Sequence, residues 1–334
     1  MTSAPVVSVI VVSYNTRDLT RACLASVIDQ TRVPHELLVV DNASSDGSAE
    51  MIAQGFPAAR LYRLGENIGF APANNLAAAD ARGEFILLLN PDTVVLDGAI
   101  DRLVAFARQS PGAGIWGGRT VFEDGALNPT SCWGPQSPWS NLSRGLGLAA
   151  VFKGSRLFDP ESLGRWRRDS VREVATVTGC FLLIRADLWR RLGGFDPRFT
   201  MYGEEVDLCI RARAVGARPS FTPDATIIHL GGRSEAVKSD QVVRQFVARA
   251  RLMRKHFSPV GARVGLLGLD LWALGKAGRA ALRARLGRGT RDQRDLWREI
   301  LSRRRQWRDA YRDPAMAGPA PVTPTADPVM EPAP

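Results

Sequence analysis

Nowhere in this chain do two cysteines stand close enough for a CxxC pair, and Cys23, Cys132, Cys180 and Cys209 are the four it has. That spacing argues against a structural zinc site and a dense disulfide framework, and it fits a reducing compartment such as the cytoplasm. No run of about 18 uncharged apolar residues occurs, so a membrane-spanning helix is not expected. The amino terminus, MTSAPVVSVIVVSYN, has no basic residue ahead of its apolar run. It also lacks a small-residue cleavage pattern, so it reads as a first buried strand rather than a signal peptide. The pattern GxGxxG is missing after every candidate strand, which counts against a dinucleotide oxidoreductase. Internal repeats are missing as well.

What is present fits one large α/β domain with appendages: 334 residues, 45% apolar and 23% charged. The net charge of +10 is unevenly placed, since residues 244–312 hold 19 Lys and Arg against five Asp and Glu. The first 243 residues are therefore close to neutral. This asymmetry concerns partners rather than fold.

In chain order, Val6 to Ser13 is a β-branched run that ends at Tyr14-Asn15-Thr16, after which a helix opens with Thr16 or Asp18 as its cap. Glu36–Val40 reads as a second strand ending at Asp41, and Ala59–Leu64 as a third. The third strand leads through Gly65-Glu66-Asn67-Ile68-Gly69 into an Ala-rich helix ending at Ala81. The central strand ends in Ile86-Leu87-Leu88-Leu89-Asn90-Pro91-Asp92-Thr93. This alternation is the signature of a mostly parallel sheet with helices on both faces. Residues 111–175 are less regular, as a pocket-shaping crossover or an ordinary insertion would be. Order returns with a strand from Val177 to Ile184, a helix from Ala186 to Leu192, a helix from Glu204 to Val215, and a strand ending at His229. Beyond this body (1–235) lie a basic helical extension (236–312) and a Pro-rich tail (313–334) whose composition suits disorder.

Ligands of open α/β sheets bind at the C-terminal ends of the strands, which is where Asp41 and Asp92 fall. Asn90-Pro91-Asp92 is a good turn in its own right, and it also puts a carboxylate where a hard cation could meet it. Glu204, Glu205 and Asp207 cluster at a helix head, where acids satisfy the helix dipole. Packing three acids together also raises at least one pKa, which suits a proton acceptor. His229, at a strand end before Gly231-Gly232, is either a structural histidine or a ligand.

Seven motifs in order (SVIVVSYN, VVDNASSDGS, GENIGFAPANN, LLLNPDT, TGCFLLIRADLWRRLGGFDPRF, MYGEEVDLCIRARAVG and IIHLGGRS) resemble the bacterial family 2 glycosyltransferases of GT-A fold, and within them the rhamnosyltransferase-like members. The resemblance covers about residues 6–232. It implies a Rossmann-like mostly parallel sheet and transfer of a sugar with inversion. The donor would be a dTDP- or UDP-sugar, dTDP-rhamnose first among them. The acceptor would be a hydroxyl of a cell-envelope glycan or polyprenyl-linked acceptor.

Residue by residue, it implies that Ser13, Tyr14 and Asn15 line the nucleotide pocket and that Asp41 takes the base edge. Asn67 and Gly69 would lie near the sugar diphosphate. Asn90-Pro91-Asp92 stands at the family's DXD position, with Asn90 in place of the first acid and Asp92 holding magnesium or manganese. His229 matches a position that contacts metal or diphosphate. Glu205 stands where the catalytic base is expected, though as Glu rather than Asp, which leaves Glu204 and Asp207 as alternative bases. A catalytically idle sugar-nucleotide-binding scaffold is the competing class.

For the basic extension, a solvated helical face, a nucleic-acid surface and a membrane-facing helix are all open. Residues 264–286 join Leu266, Leu269, Trp272 and Leu274 to Lys276, Arg279, Arg283 and Arg285. That mixture favours an anionic membrane surface, at the inner face of the cell membrane, over nucleic acid, for which no binding motif is present.

Overall fold

Every side chain of β1 (Val7–Ser13) is buried, because its β-branched residues point alternately into two apolar layers. The structure, a computed structural model, describes residues 4–231, 238–288 and 290–316. After β1 come α1 (Arg17–Gln30), β2 (His35–Asp41), α2 (Ser48–Gly55), β3 (Arg60–Arg63), α3 (Phe70–Ala79) and β4 (Phe85–Leu89). Strands β1 to β4 are parallel in the order β3-β2-β1-β4. Their register sets Ser13 beside Asp41 and Val11 beside Leu89, so the chain leaves β1, β2 and β4 at one edge. Thr16 does not cap α1 as expected. Its hydroxyl is shared with Ser13 and Thr20, and Asp46, from the loop after β2, accepts from the Arg17 amide at 2.8 Å instead.

The chain continues through β5 (Thr93–Val95), α4 (Ala99–Gln109), β6 (Ile115–Val121), β7 (Leu127–Asn128), β8 (Cys132–Trp133), α5 (Pro138–Gly145) and α6 (Leu148–Val151). Then follow β9 (Arg172–Glu173), β10 (Thr176–Val177), β11 (Phe181–Arg185), α7 (Ala186–Leu192), α8 (Glu204–Ala214) and β12 (Ser220–His229). The sheet runs on from β4 as β11-β6-β12-β5, with β11 antiparallel to β4. One apolar layer joins Val9, Val11, Val39 and Leu87 to Leu24, Val27 and Leu103 of the helices. The other joins Ile10, Leu38, Val40 and Leu88 to Ala73, Ala77, Trp189 and Leu208.

Two strands differ from expectation. The run from Val177 to Ile184 divides at Thr178–Cys180, and its first part pairs with β8 in a separate small sheet. The irregular 111–175 region supplies β6 to the centre of the main sheet. Gly117 and Gly118 disguise that strand. A Cβ at 117 would lie 2.4 Å from Val177, and one at 118 would lie 2.2 Å from the Ala225 carbonyl. Close approach, not turning, requires these glycines.

The extension forms α9 (Lys238–His256), α10 (Pro259–Arg285), α11 (Arg291–Ser302) and α12 (Arg304–Arg312). They close over a core of their own built from Val243, Phe246, Met253, Leu269, Ile300 and Trp307. Part of the expected membrane-facing stripe is therefore turned inward. Leu269 is buried, and Leu266 and Trp272 pack on the same core. The first residues of the stretch expected to be a disordered tail are folded onto the body. Pro314–Met316 form a short turn, and Met316 is buried against Phe199, Val206 and Leu252. Residues 317–334 and Gly232, named in the sequence reading, lie outside the described residues.

Candidate active site

Asp92 sits on the short loop between β4 and β5, and the loop is fixed at both ends. The Asn90 amide donates to the Cys180 carbonyl at 3.2 Å, and the Leu230 amide donates to the Asp92 carbonyl at 3.1 Å. Thr93 Oγ1 donates to the Asn90 carbonyl at 2.7 Å. Pairing of β12 with β5 sets His229 opposite Thr93. Its Nε2 lies 3.5 Å from Asp92 Oδ1, with both side chains almost buried. Burial disfavours the charged ring, but Cys180 and Asp92 beside it outweigh that and push the His229 pKa up to about 11.

This donor set fits a hard divalent cation. It consists of one carboxylate and one imidazole, which would give up its added proton to bind the ion, and His229 Nδ1 is buried without a partner. Among the described residues no group of three or more His, Cys, Asp or Glu converges as a metal cage. A cation here would complete its shell with phosphate oxygens and water, as magnesium commonly does.

The loops after β1 and β2 are knitted together. Asn15, with a positive φ of 52°, accepts from the Ser45 amide at 2.8 Å, and its own amide donates to Ser44 Oγ. Tyr14 is exposed, whereas the Ser13 hydroxyl is buried on Thr16 and Thr20. Asp41 is 3% exposed, and its Oδ2 accepts from the Ser44 amide at 3.2 Å. Its Oδ1 is buried with no partner. A carboxylate oxygen left in that state calls for an explanation, and a ligand N–H is one.

Asn42, not singled out from the sequence, organises the next loop. It donates to Asn67 Oδ1 at 3.0 Å and to the Gly69 carbonyl, and it accepts from the Ile68 amide. Its position directly after Asp41 was the available signal.

Glu204 and Glu205 open α8 after Gly203, whose φ of 83° turns the chain into the helix. Each glutamate has an Oε2 that is buried and without a partner. Burial raises the pKa of both, and for Glu204 the charge of Glu205 adds to the effect. Asp207 is the opposite case. It is fully buried, yet His256, Arg211 and Lys255 surround it and hold its carboxyl far below the usual range despite burial. The same segment reaches the Gly69 loop, where the Phe70 amide donates to the Thr200 carbonyl at 2.9 Å.

The comparisons agree with this architecture. The description "Glycosyl transferase family 2" matches residues 8–188, and the chain belongs to that family. It is 31% identical over 239 residues to the N-acetylglucosaminyl-diphospho-decaprenol L-rhamnosyltransferase of Mycobacterium tuberculosis, a match covering 67% of this chain and 76% of that protein. It is also 31% identical over 230 residues to the O-antigen biosynthesis protein RfbC of Myxococcus xanthus, covering 67% of this chain but 17% of that protein. Among solved structures it is similar to the mannosyltransferase PcManGT from Pyrobaculum calidifontis, determined with GDP-Man and Mn2+. That similarity has a TM-score of 0.53 at 19% identity and covers 92% of this chain and 86% of the other. The fold is GT-A-like, as the motifs implied, and the protein is a family 2 glycosyltransferase with rhamnosyltransferase relatives.

Proposed function

We propose that this enzyme is a metal-dependent, inverting transferase that moves rhamnose from dTDP-rhamnose to a hydroxyl of a polyprenyl-linked cell-envelope acceptor. Three features support this reading, each with a polar atom left for a ligand. They are the free oxygen of Asp41, the Asp92–His229 pair, and the buried Glu204 beside the half-buried Glu205, each with a buried, unpartnered oxygen and raised basicity. The rhamnosyltransferase relative, by its name, acts on a diphospho-decaprenol-linked sugar, which supports the acceptor class.

In this reading Asp41 Oδ1 accepts the imide N–H that thymine and uracil share, and Asn67 and Gly69 bind along the diphosphate with Asn90, while Tyr14 and Asn15 flank the nucleoside. Asp92 and His229 hold magnesium or manganese, and the chemistry that ion supplies when bound is neutralisation of charge on the leaving diphosphate. Glu205 takes the proton of the acceptor hydroxyl as its oxygen attacks the anomeric carbon and the bond to the diphosphate breaks in line. A proton acceptor with raised pKa is matched to that task. Asp207, spent on Arg211, Lys255 and His256, is not the base, and Glu204 is the neighbour that must be tested against Glu205.

The acceptor class also supports a peripheral position at the membrane. Among the described residues no helix is long and apolar enough to cross one. Leu267, Leu274 and Leu282 of α10 and Leu286 just after it are nonetheless exposed, as are Leu146, Val151 and Phe152 around α6. Arginines interleave with this stripe, as an anionic lipid surface requires.

The test is thermal stabilisation by a panel of dTDP-, UDP- and GDP-sugars with and without magnesium or manganese, followed by transfer from the best donor to a polyprenyl-diphosphate-linked N-acetylglucosamine. A bound donor raises stability in proportion to the logarithm of its concentration over Kd. Metal-dependent stabilisation by dTDP-rhamnose and product formation are expected. Selective stabilisation by another sugar nucleotide would replace the donor and leave the chemistry standing.

A further inference from the structure

Helix α9 lies outside residues 8–188, where the family description matches, yet it follows the segment that carries Glu204 and Glu205 from one end to the other. Gln241 Nε2 donates to the Tyr202 hydroxyl at 3.2 Å. Ala248 and Leu252 pack on Gly203. Arg251 donates to the Arg198 carbonyl at 2.7 Å. At the far end, Lys255 Nζ bridges Asp196 at 2.6 Å and Asp207 at 2.5 Å, and His256 Nε2 meets Asp207 at 2.7 Å. Both aspartates are fully buried and Lys255 is nearly so. The held segment is also strained, because Tyr202 adopts a φ of 68°, a left-handed conformation that a bulky residue avoids. Such conformations persist where surrounding contacts over-determine them.

We propose that Lys255 is a positioning residue for catalysis, holding the Glu204–Glu205 pair in place through Asp207 and Asp196, and that α9 is thereby a working part of the active site. This rests on the reading of that pair as the proton acceptor. The bridge ties the turn at Asp196 to the first turn of α8, so the two ends of the intervening loop cannot separate. Both glutamates lie inside that closed loop. Without the ammonium, Asp196 keeps Arg198 and Asp207 keeps Arg211, which also holds α8 to the Leu192 and Gly194 carbonyls, so each aspartate retains a cation but the direct link between the two carboxylates is lost. The expected consequence is a misplaced base in a folded protein, not an unfolded one.

The experiment compares Lys255→Met and Lys255→Arg with the unsubstituted full-length enzyme. Hydrogen–deuterium exchange is read across residues 196–208, and kcat and KM are measured with dTDP-rhamnose and the polyprenyl-linked acceptor. For Lys255→Met we expect faster exchange confined to 196–208 and a kcat about 10- to 100-fold lower. Donor KM should stay within about twofold of the unsubstituted enzyme, because a residue acting on the base alone leaves uniform donor binding untouched. Lys255→Arg, which keeps a cation there, should recover most of the rate. Unchanged exchange and kcat in Lys255→Met would overturn the proposal, as would a parallel loss of kcat and of exchange protection throughout the sheet. If Lys255→Met does not fold, Gln241→Leu at the opposite end of α9 gives the same reading through Tyr202. Exchange needs no substrate, so an unsubstituted enzyme inert towards every donor would sink the functional reading and leave the splint separately judged.

Discussion

His229 Nε2 faces Asp92 Oδ1 at 3.5 Å although one residue ends β12 and the other follows β4. Antiparallel pairing of β12 with the three-residue β5 is what closes that distance.

Asp92→Ala should leave the fold intact and lower kcat by about 10²- to 10³-fold, the scale on which charge stabilisation of a leaving group acts. His229→Ala should weaken the metal requirement in the same direction. The check is the metal-dependent part of the donor thermal shift, which should vanish with Asp92→Ala while the sheet still melts cooperatively.

Glu205→Gln should cost about 10²- to 10⁴-fold in kcat, the usual weight of a general base. It should also raise Tm, because the glutamates are buried at a cost. A folded-state pKa above the ordinary value means stability is greatest at low pH and falls as pH rises through the raised value. Rate has the opposite sign, since the base must be ionised, so kcat/KM should rise with pH over that interval. If Glu204→Gln abolishes transfer and Glu205→Gln does not, the roles of the two exchange.

Asp41→Ala removes a buried acceptor, in the loops after β1 and β2, that has no partner. Donor KM should rise about 10- to 100-fold, the weight of a hydrogen bond to a charged group, with kcat little changed. A dTDP-sugar and a UDP-sugar should suffer alike, because both bases present the same N–H. Competitive inhibition by dTDP and UDP measures this directly.

Glu161, on the loop preceding β9, anchors the body to α9. Burial opposes its charge, but Arg249 and Arg144 outweigh that and lower its pKa to about 2, with Arg249 Nη2 at 2.8 Å. The depressed carboxyl contributes stability that is present above its ordinary value near 4.5 and lost as pH falls towards 2. The contribution is on the order of 3 kcal/mol. Acid titration of Tm should therefore be shallower over that window in Glu161→Gln, and that variant should already be less stable at neutral pH because it leaves two arginines short of a partner.

Vesicles with anionic lipid should bind the protein and lose it at high salt, whereas neutral vesicles should not. Leu267→Glu with Leu274→Glu should abolish binding and leave Tm unchanged, as both side chains are exposed. Co-sedimentation of the double variant at wild-type levels would remove α10 from the membrane reading.

Much of the catalytic edge was legible because it is written locally. A β-branched run that stops at a polar turn must end at a sheet edge, so Asp41 and Asp92 could be located from hydrophobic periodicity alone. Glu204 and Glu205 were visible as acids at a helix head. Strand β6 was not, since its Gly117 and Gly118 answer to Val177 and the Ala225 carbonyl, which are distant in sequence.

The sequence by itself determined the alternation of strands and helices, the family, and the acids at the strand ends, for these depend on the period of side chains along a local backbone. Only the tertiary structure decided that Asp207 is paired while Glu204 and Glu205 each keep an unpartnered oxygen. Asp207 and Glu205 look equivalent in the chain, but folding brings Lys255 and His256 onto Asp207 and neither of them onto Glu205. Charge compensation between distant residues sets a pKa, and no local pattern carries it. The same holds for Leu269 and Trp272, whose place in an apolar stripe could not reveal that the extension would fold back and bury them in a core of its own.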